Sequence, residues 1–160
     1  MWGRQTKDAK KLAFSDNVVA LDFVSGLERG QLSGNACLVG FDENDILAVR
    51  DMVRQAGLSP VMSCATASLM RDLQMISTTS SFVIVNLDGF SDVDVGVDAL
   101  IKFRRMCPDP SVLIVSRTVL NDELGSHRRA IADATLRVPL SGERLAAGLA
   151  AARCNHAEAS

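Results

Sequence analysis

Charged clusters in the second half of the chain are the first candidates for chemistry. Asp88, Asp92 and Asp94 lie close together, and their carboxylates could bind a metal ion weakly. Their spacing lacks the glycine and the terminal glutamate of an EF-hand loop, so solvated loop charges are the favoured interpretation. His127, which two arginines follow, could be a phosphohistidine or part of an anion patch, but an exposed helical surface is favoured.

The cysteines predict neither a metal site nor disulfides. The four residues are widely and irregularly spaced, with no C-x-x-C pair: Cys37, Cys64, Cys107 and Cys154. Cys37 and Cys64 lie inside apolar runs, where a free thiol behaves as a small hydrophobic side chain. Free thiols persist in a reducing compartment, so we expect a cytoplasmic protein.

Composition argues against nucleic-acid and membrane functions. The net charge of the 160 residues is −2, and aromatic residues make up only 4%, so neither a basic field nor a stacking platform is available. No apolar run is long enough to span a bilayer. The stretch 18–27 is interrupted by Asp22 and lacks a clean cleavage site, so no signal peptide is predicted.

From residue 36 onward, short apolar runs alternate with amphipathic segments. The runs 36–41, 60–65, 82–87, 112–116 and 135–140 are typical of strands, and the first of them is continuous and apolar, as in a strand buried on both faces. Helices are predicted after each strand, including a weaker one over 121–132 that contains Gly125. Parallel strands need helical crossovers, so we expect an open five-stranded parallel sheet with helices on both faces.

The domain boundaries follow from this alternation. Residues 36–153 are predicted to form the α/β domain, and residues 154–160 a tail in which His156 is disordered. Residues 1–35 are predicted to be an N-terminal extension. A helix packed on the domain is favoured there over a dimerisation or tethering arm.

The α/β pattern resembles the bacterial response-regulator receiver domain. The resemblance covers residues 36 to about 153 and rests on strand order, helix lengths and the segment 138–140, where the family has a lysine–proline pair. It implies a flavodoxin-like sheet of strand order 2-1-3-4-5. It also implies a site at the carboxyl ends of the strands, where an acidic pair binds Mg²⁺, an aspartate accepts a phosphoryl group, and a hydroxyl and a lysine assist.

This chain departs from the family pattern at nearly every site position. The phosphoacceptor position is occupied by Asn86, whose carboxamide is a poor nucleophile, and the lysine position by Val138. Only a partial acidic pair is available, from Asp42 and Glu43. Ser116 alone retains the expected type, so we predict a degenerate phosphoacceptor pocket and a protein that is not an enzyme.

Each of these residues also has a purely structural interpretation. Asn86 could hydrogen-bond to loop backbone, Asp42 could be a helix N-terminal acid, and Ser116 could satisfy a strand end. Asp88 could accept hydrogen bonds from loop N–H groups. A displaced phosphoacceptor at Asp88 is disfavoured, because it lies two residues past the usual place.

The predicted function is phosphorylation-independent signalling through protein contacts. A histidine kinase, a phosphotransfer protein, another regulator or a second copy of the chain is the expected partner, with no cofactor. The predicted partner-binding face lies along the last strand and helix and consists of Arg137, Leu140, Leu145, Ala146 and Leu149. The small residues of that helix could equally serve the core alone.

Two alternatives remain open. The first is a working, Mg²⁺-dependent receiver that is phosphorylated at Asp88 or Asp42. The second is a small-molecule-binding flavodoxin-like domain, although the loop 88–91 is too short and too acidic to cradle a phosphate well.

Overall fold

The computed structural model describes residues 31–160, which form one compact unit. The predictions made for residues 1–30 lie outside the described residues. The strands are β1 (Asn35–Val39), β2 (Ser59–Cys64), β3 (Phe82–Asn86), β4 (Ser111–Ser116) and β5 (Ala134–Arg137). The helices are α1 (Glu43–Gln55), the short α2 (Ser68–Arg71), α3 (Leu73–Thr79), α4 (Val93–Met106) and α5 (Gly142–Ala159).

The five strands form one parallel sheet in the order β2-β1-β3-β4-β5, which confirms the predicted fold class. The central strands β3 and β4 are almost entirely buried. Their apolar side chains project from both faces of the sheet, and helices cover both faces. The strand order changes direction between β1 and β3, because β2 is added on one side of β1 and β3 on the other. The crevice at their carboxyl ends is therefore the place where a site is expected.

Two separate apolar cores lie on the two faces of the sheet. On one face, Val53 of α1 and Leu149 of α5 pack against Leu38 and Ile84. On the other face, α2, α3 and α4 pack against the alternate side chains of the same strands, with Phe103 fully buried. Alternation along each strand sends successive side chains to opposite faces, which divides the core in this way.

The predicted helix over residues 121–132 is wrong. The segment between β4 and β5 is irregular, and Glu123 instead pairs with Thr135 as an isolated antiparallel bridge along the free edge of β5. The carboxylate of Asp122 accepts from Arg137 N at 2.8 Å, and Asn155 donates to the carbonyl of Leu124 at 2.9 Å. Backbone groups that a helix would pair internally are thus satisfied by β5 and α5.

The predicted tail is also wrong, because α5 continues to Ala159 without a break at residue 153. Asn155 donates to the carbonyl of Asp133 at 2.7 Å, and His156 is largely buried with Nδ1 3.4 Å from the Asp133 carboxylate. These contacts anchor the last turns of the helix to the start of β5. No helix within residues 31–160 is both long and apolar enough to cross a membrane.

Candidate functional site

A cavity of about 580 Å³ opens at the carboxyl ends of the strands. It lies between α1, lined from Asp45 to Met52, and the segment that follows β5, and the loop after β3 also lines it. Of the predicted site residues, Asp42, Asn86, Asp88 and Val138 line it. Glu43 does not line it, and Ser116 is reached only through Asp88, so the structure brings most of the predicted pocket together.

Asn86 is the last residue of β3, and both the Nδ2 and the Oδ1 of its carboxamide form hydrogen bonds with backbone groups. Its Nδ2 donates to the carbonyl of Gly40 at 3.1 Å, and its Oδ1 accepts from the N–H of Asp88 at 3.2 Å. The second bond caps a single 3₁₀ turn over Leu87–Gly89. The structural interpretation of Asn86 is therefore confirmed.

Asp88 lies closer to the site than its place in the sequence indicates. The 3₁₀ turn folds its carboxylate back onto the end of β4, where Oδ1 accepts from Ser116 Oγ at 2.8 Å and Oδ2 accepts from Arg117 N at 2.9 Å. Ser116 Oγ also lies 2.8 Å from Thr118 Oγ1. Asp88 therefore joins the ends of β3 and β4, and both of its oxygens are occupied by groups of the chain itself.

Asp42 serves as the N-cap of α1. Its backbone is extended, and its Oδ1 accepts from the N–H groups of Asn44 and Asp45 at 2.9 and 2.8 Å. A carboxylate in this place accepts hydrogen bonds from two backbone N–H groups that have no partner within the helix. Its negative charge also interacts favourably with the positive end of the helix dipole. Glu43 begins the first helical turn and is exposed, so the two acids do not form a pair that faces the cavity.

The two loops at the site are in direct backbone contact. Gly40 has a φ of +77°, and a Cβ added to it would lie 3.0 Å from the carbonyl of Asn86. A Cβ on Gly89 would lie only 2.4 Å from the carbonyl of Gly40. Only glycine permits this approach, and the contact fills space between the first and third strand ends.

The donor set does not fit a Mg²⁺ ion. Mg²⁺ requires several oxygen ligands in a near-octahedral arrangement, whereas both oxygens of Asp88 accept hydrogen bonds, only one oxygen of Asp42 is left by the helix cap, and Asn86 contributes no charge. Across residues 31–160, no three His, Cys, Asp or Glu side chains converge on a point where a metal could be held.

The segment after β5 supplies an apolar wall instead of a charge. Val138 and Leu140 are half-buried and pack against the core, with the cis peptide Val138–Pro139 between β5 and α5. Arg137 is exposed outside the cavity, and its guanidinium donates to the carbonyl of Leu120 at 3.0 Å. No cation thus stands at the position that Val138 occupies.

The predicted partner-binding face is wrong for Leu145 and Leu149, which are fully buried in the core. The small residues of α5 serve that core: a Cβ on Gly148 would lie 2.8 Å from a methyl group of Leu136 in β5. Ala146 and Leu140 are only partly exposed, and Arg137 alone of the five is exposed.

Two ion pairs at the sides of β5 were missed by the sequence analysis. The Asp122 carboxylate accepts from Arg144 Nε at 2.8 Å, and this hydrogen bond lowers the pKa of Asp122 and raises that of Arg144. Arg104 binds both oxygens of the fully buried Asp133, at 2.7 and 2.8 Å. These partners lie 22 and 29 residues apart in the sequence, so no local spacing pattern predicts the two ion pairs.

The structure also shows the surroundings of His127 and of two of the cysteines. His127 is exposed, but it lies in a turn and not on a helix, and the neighbouring Arg128 pairs with Glu123 at 2.7 Å. The Cys37 and Cys64 thiols come together across β1 and β2. A hydrogen bond between them raises the pKa of buried Cys37 and lowers that of Cys64.

Solved receiver-domain structures share this fold. The anti-anti-sigma factor PhyR from Bartonella quintana superposes with a TM-score of 0.61 at 13% identity, covering 86% of this chain and 55% of that one. A CheY-like receiver domain protein from Methanospirillum hungatei superposes with a TM-score of 0.58 at 14% identity, covering 81% and 100%. A response regulator from Thermotoga maritima gives 0.56 at 17% identity, covering 72% and 92%.

No family model and no curated protein matches the chain. The chain spans just over half the length of the PhyR protein to which it is similar. The strand order, the crevice at the strand ends and these superpositions agree on one architecture. The chain has the fold of response-regulator receiver domains.

Proposed function

We propose that this domain is a signalling module of the two-component type that works without phosphorylation, through contacts with other proteins. The observation that carries the proposal is the contact of Asp88 with Ser116. In the family that the chain resembles, the hydroxyl at the end of the fourth strand senses the phosphoryl group. Here a carboxylate of the chain already holds that hydroxyl, at 2.8 Å, together with the next backbone N–H.

The surrounding residues support the same proposal. Phosphoryl transfer needs a nucleophile and cations that neutralise the transferred group. Asn86 is a neutral amide with both ends bonded, and Val138 carries no charge where the family has a lysine. We therefore propose a protein that is not an enzyme and needs no Mg²⁺.

The partner is expected to be a histidine kinase, a phosphotransfer protein or another regulator. PhyR is described as an anti-anti-sigma factor, so a protein that controls a sigma factor is a further candidate. The surface that we propose for the contact is centred on exposed Arg137 and on Leu120, whose side chain is 82% exposed beside it. A cytoplasmic location and homodimer formation belong to the same proposal.

Intact mass after incubation with acetyl phosphate and Mg²⁺ tests the loss of phosphorylation. We expect no phosphoryl adduct on the wild-type chain or on Asn86→Asp, because one added carboxylate restores neither the acidic pair for Mg²⁺ nor the lysine that Val138 replaces. A working receiver domain, treated in parallel, is the positive control. A labile adduct that maps to Asp88 would overturn the proposal and establish the displaced phosphoacceptor.

Capture of partners from a lysate of the source organism, with and without acetyl phosphate, tests whether the domain binds other proteins independently of phosphorylation. We expect the same partner in both, and we expect Leu120→Asp to abolish its capture. Leu47→Asp, on a similarly exposed leucine of α1 at 68% exposure, is the matched control. Capture that depends on acetyl phosphate, or that survives Leu120→Asp, would contradict the proposal.

A further inference from the structure

The cavity at the strand ends has the dimensions of a ligand site. Its volume of about 580 Å³ lies within the range of small-molecule pockets, which run from about 300 to 1,000 Å³. It is lined by α1, by the strand ends and by the two loops that meet at Gly40 and Gly89.

The walls of the cavity are largely apolar. Met52 of α1, Phe41, Val138 and Leu140 all line it, and each packs on the core while keeping part of its surface accessible. Apolar surface that stays accessible inside a concavity gains free energy when an apolar molecule covers it. The cavity therefore favours a ligand with an apolar body.

The lining of the cavity carries an excess of negative charge. Asp42, Asp45 and Asp88 line it together with one cation, Arg117. Both oxygens of Asp88 are bonded internally, but within residues 31–160 neither Oδ2 of Asp42 nor the Asp45 carboxylate accepts a hydrogen bond. Two carboxylates on one turn of α1 are thus available to a positive group.

We propose that this cavity binds a small amphiphilic amine, with the apolar body against Met52 and Val138 and the ammonium group at Asp42 and Asp45. A bare divalent cation does not fit, because most of the lining offers no oxygen ligand. A phosphate or carboxylate ligand is opposed by the net negative charge of the lining. This inference goes beyond the proposed function and does not depend on it.

Amide chemical-shift changes measured by NMR during titration with octylamine test the proposal, with octanol and octanoate as probes of matched length. We expect octylamine to shift the amides of the cavity lining, such as Phe41, Met52 and Leu140. Octanol should bind there about two- to fivefold more weakly, as is typical for the loss of an exposed ion pair, and octanoate should not bind there.

Three variants separate the apolar contact from the charge. Val138→Lys is expected to abolish octylamine binding, because it fills the cavity with a cation at a position where receiver domains carry lysine. Asp45→Asn should weaken octylamine about two- to fivefold and leave octanol unchanged. Asp51→Asn, on the same helix but outside the cavity lining, is the control and should change neither.

Several outcomes would overturn the inference. They are equal shifts from octanoate, octanol binding as tight as octylamine, shifts that map away from the cavity, or no shift at millimolar octylamine. Tighter binding of a capped dipeptide of phenylalanine and lysine would reassign the cavity to a side chain of a protein partner. The mass measurement under acetyl phosphate is unaffected by any of these results, so the two proposals fail separately.

Discussion

Removal of the Asp133 carboxylate is expected to destabilise the domain more than most single substitutions. Asp133 is fully buried, accepts two hydrogen bonds from Arg104 and a third from the N–H of Val112 at 2.8 Å, and lies 3.4 Å from His156 Nδ1. Asp133→Ala leaves a guanidinium that is 13% exposed without its counter-ion, and it leaves a backbone donor unpaired.

Breaking a buried ion pair by removing one partner costs about 3–5 kcal/mol. Urea unfolding of a small domain has a slope of about 2 kcal/mol per molar, so the midpoint for Asp133→Ala should fall by about 1.5–2.5 M. Asp51→Ala is the matched control, because Asp51 forms an exposed pair with Arg54 whose side chains are 68% and 54% accessible. Such pairs contribute about 0–1 kcal/mol.

A second substitution tests the physical cause of the loss. If the stranded charge dominates, adding Arg104→Met to Asp133→Ala should cost nothing further and should recover roughly 1–2 kcal/mol, because no uncompensated guanidinium remains. A free energy of unfolding for Asp133→Ala that falls by no more than that of Asp51→Ala would refute the reasoning. So would a double variant whose loss equals the sum of the two single losses.

Three further outcomes are expected. The hydrogen bond from Arg144 lowers the pKa of Asp122, so the pair stabilises the fold above the ordinary pKa of 3.8, and this stabilisation is lost as the pH falls through the lower pKa of the folded state. In urea unfolding at neutral pH, Asp122→Asn should lower the free energy of unfolding by about 1 kcal/mol. A loss of the same size in strong acid would contradict this. Gly89→Ala should cost about 1–3 kcal/mol because its Cβ meets backbone at 2.4 Å, whereas Gly142→Ala, with 3.4 Å to a flexible side chain, should be near neutral; equal melting temperatures would argue against the loop contact. In native thiol labelling followed by mass, exposed Cys154 should react with iodoacetamide in the folded protein and Cys37 only on unfolding, because Cys37 is buried and its pKa is raised by its hydrogen bond with Cys64; labelling of these two at one rate would exclude this packing.

The sheet was predictable because its information is local. Residues 82–85 are apolar without interruption, and only a strand covered on both faces of the sheet buries such a run completely. Gly57 lies two residues past the end of α1 with a φ of +99°, a backbone conformation that glycine adopts without strain, so a glycine at this place indicates the end of a helix. The strand order came from the resemblance to receiver domains, which the structure bears out.

The segment between β4 and β5 was not predictable in the same way. Its residues carry a weak helical pattern, and Gly125 lowers helix propensity by about 1 kcal/mol, which leaves little to favour a helix. The competing bonds come from Arg137, Arg144 and Asn155, all later in the chain. Because such partners meet only after the sheet has formed, tertiary contacts override the local preference.

For the site, the sequence alone determined which chemical groups are present: an amide at Asn86, a valine at position 138 and a single hydroxyl at Ser116. The tertiary structure decided what those groups touch. One 3₁₀ turn after β3 brings the Asp88 carboxylate onto Ser116, although the residue lies past the end of the strand. Residue types specify the available chemistry, whereas contact between residues 28 positions apart depends on turns and packing that no local pattern encodes.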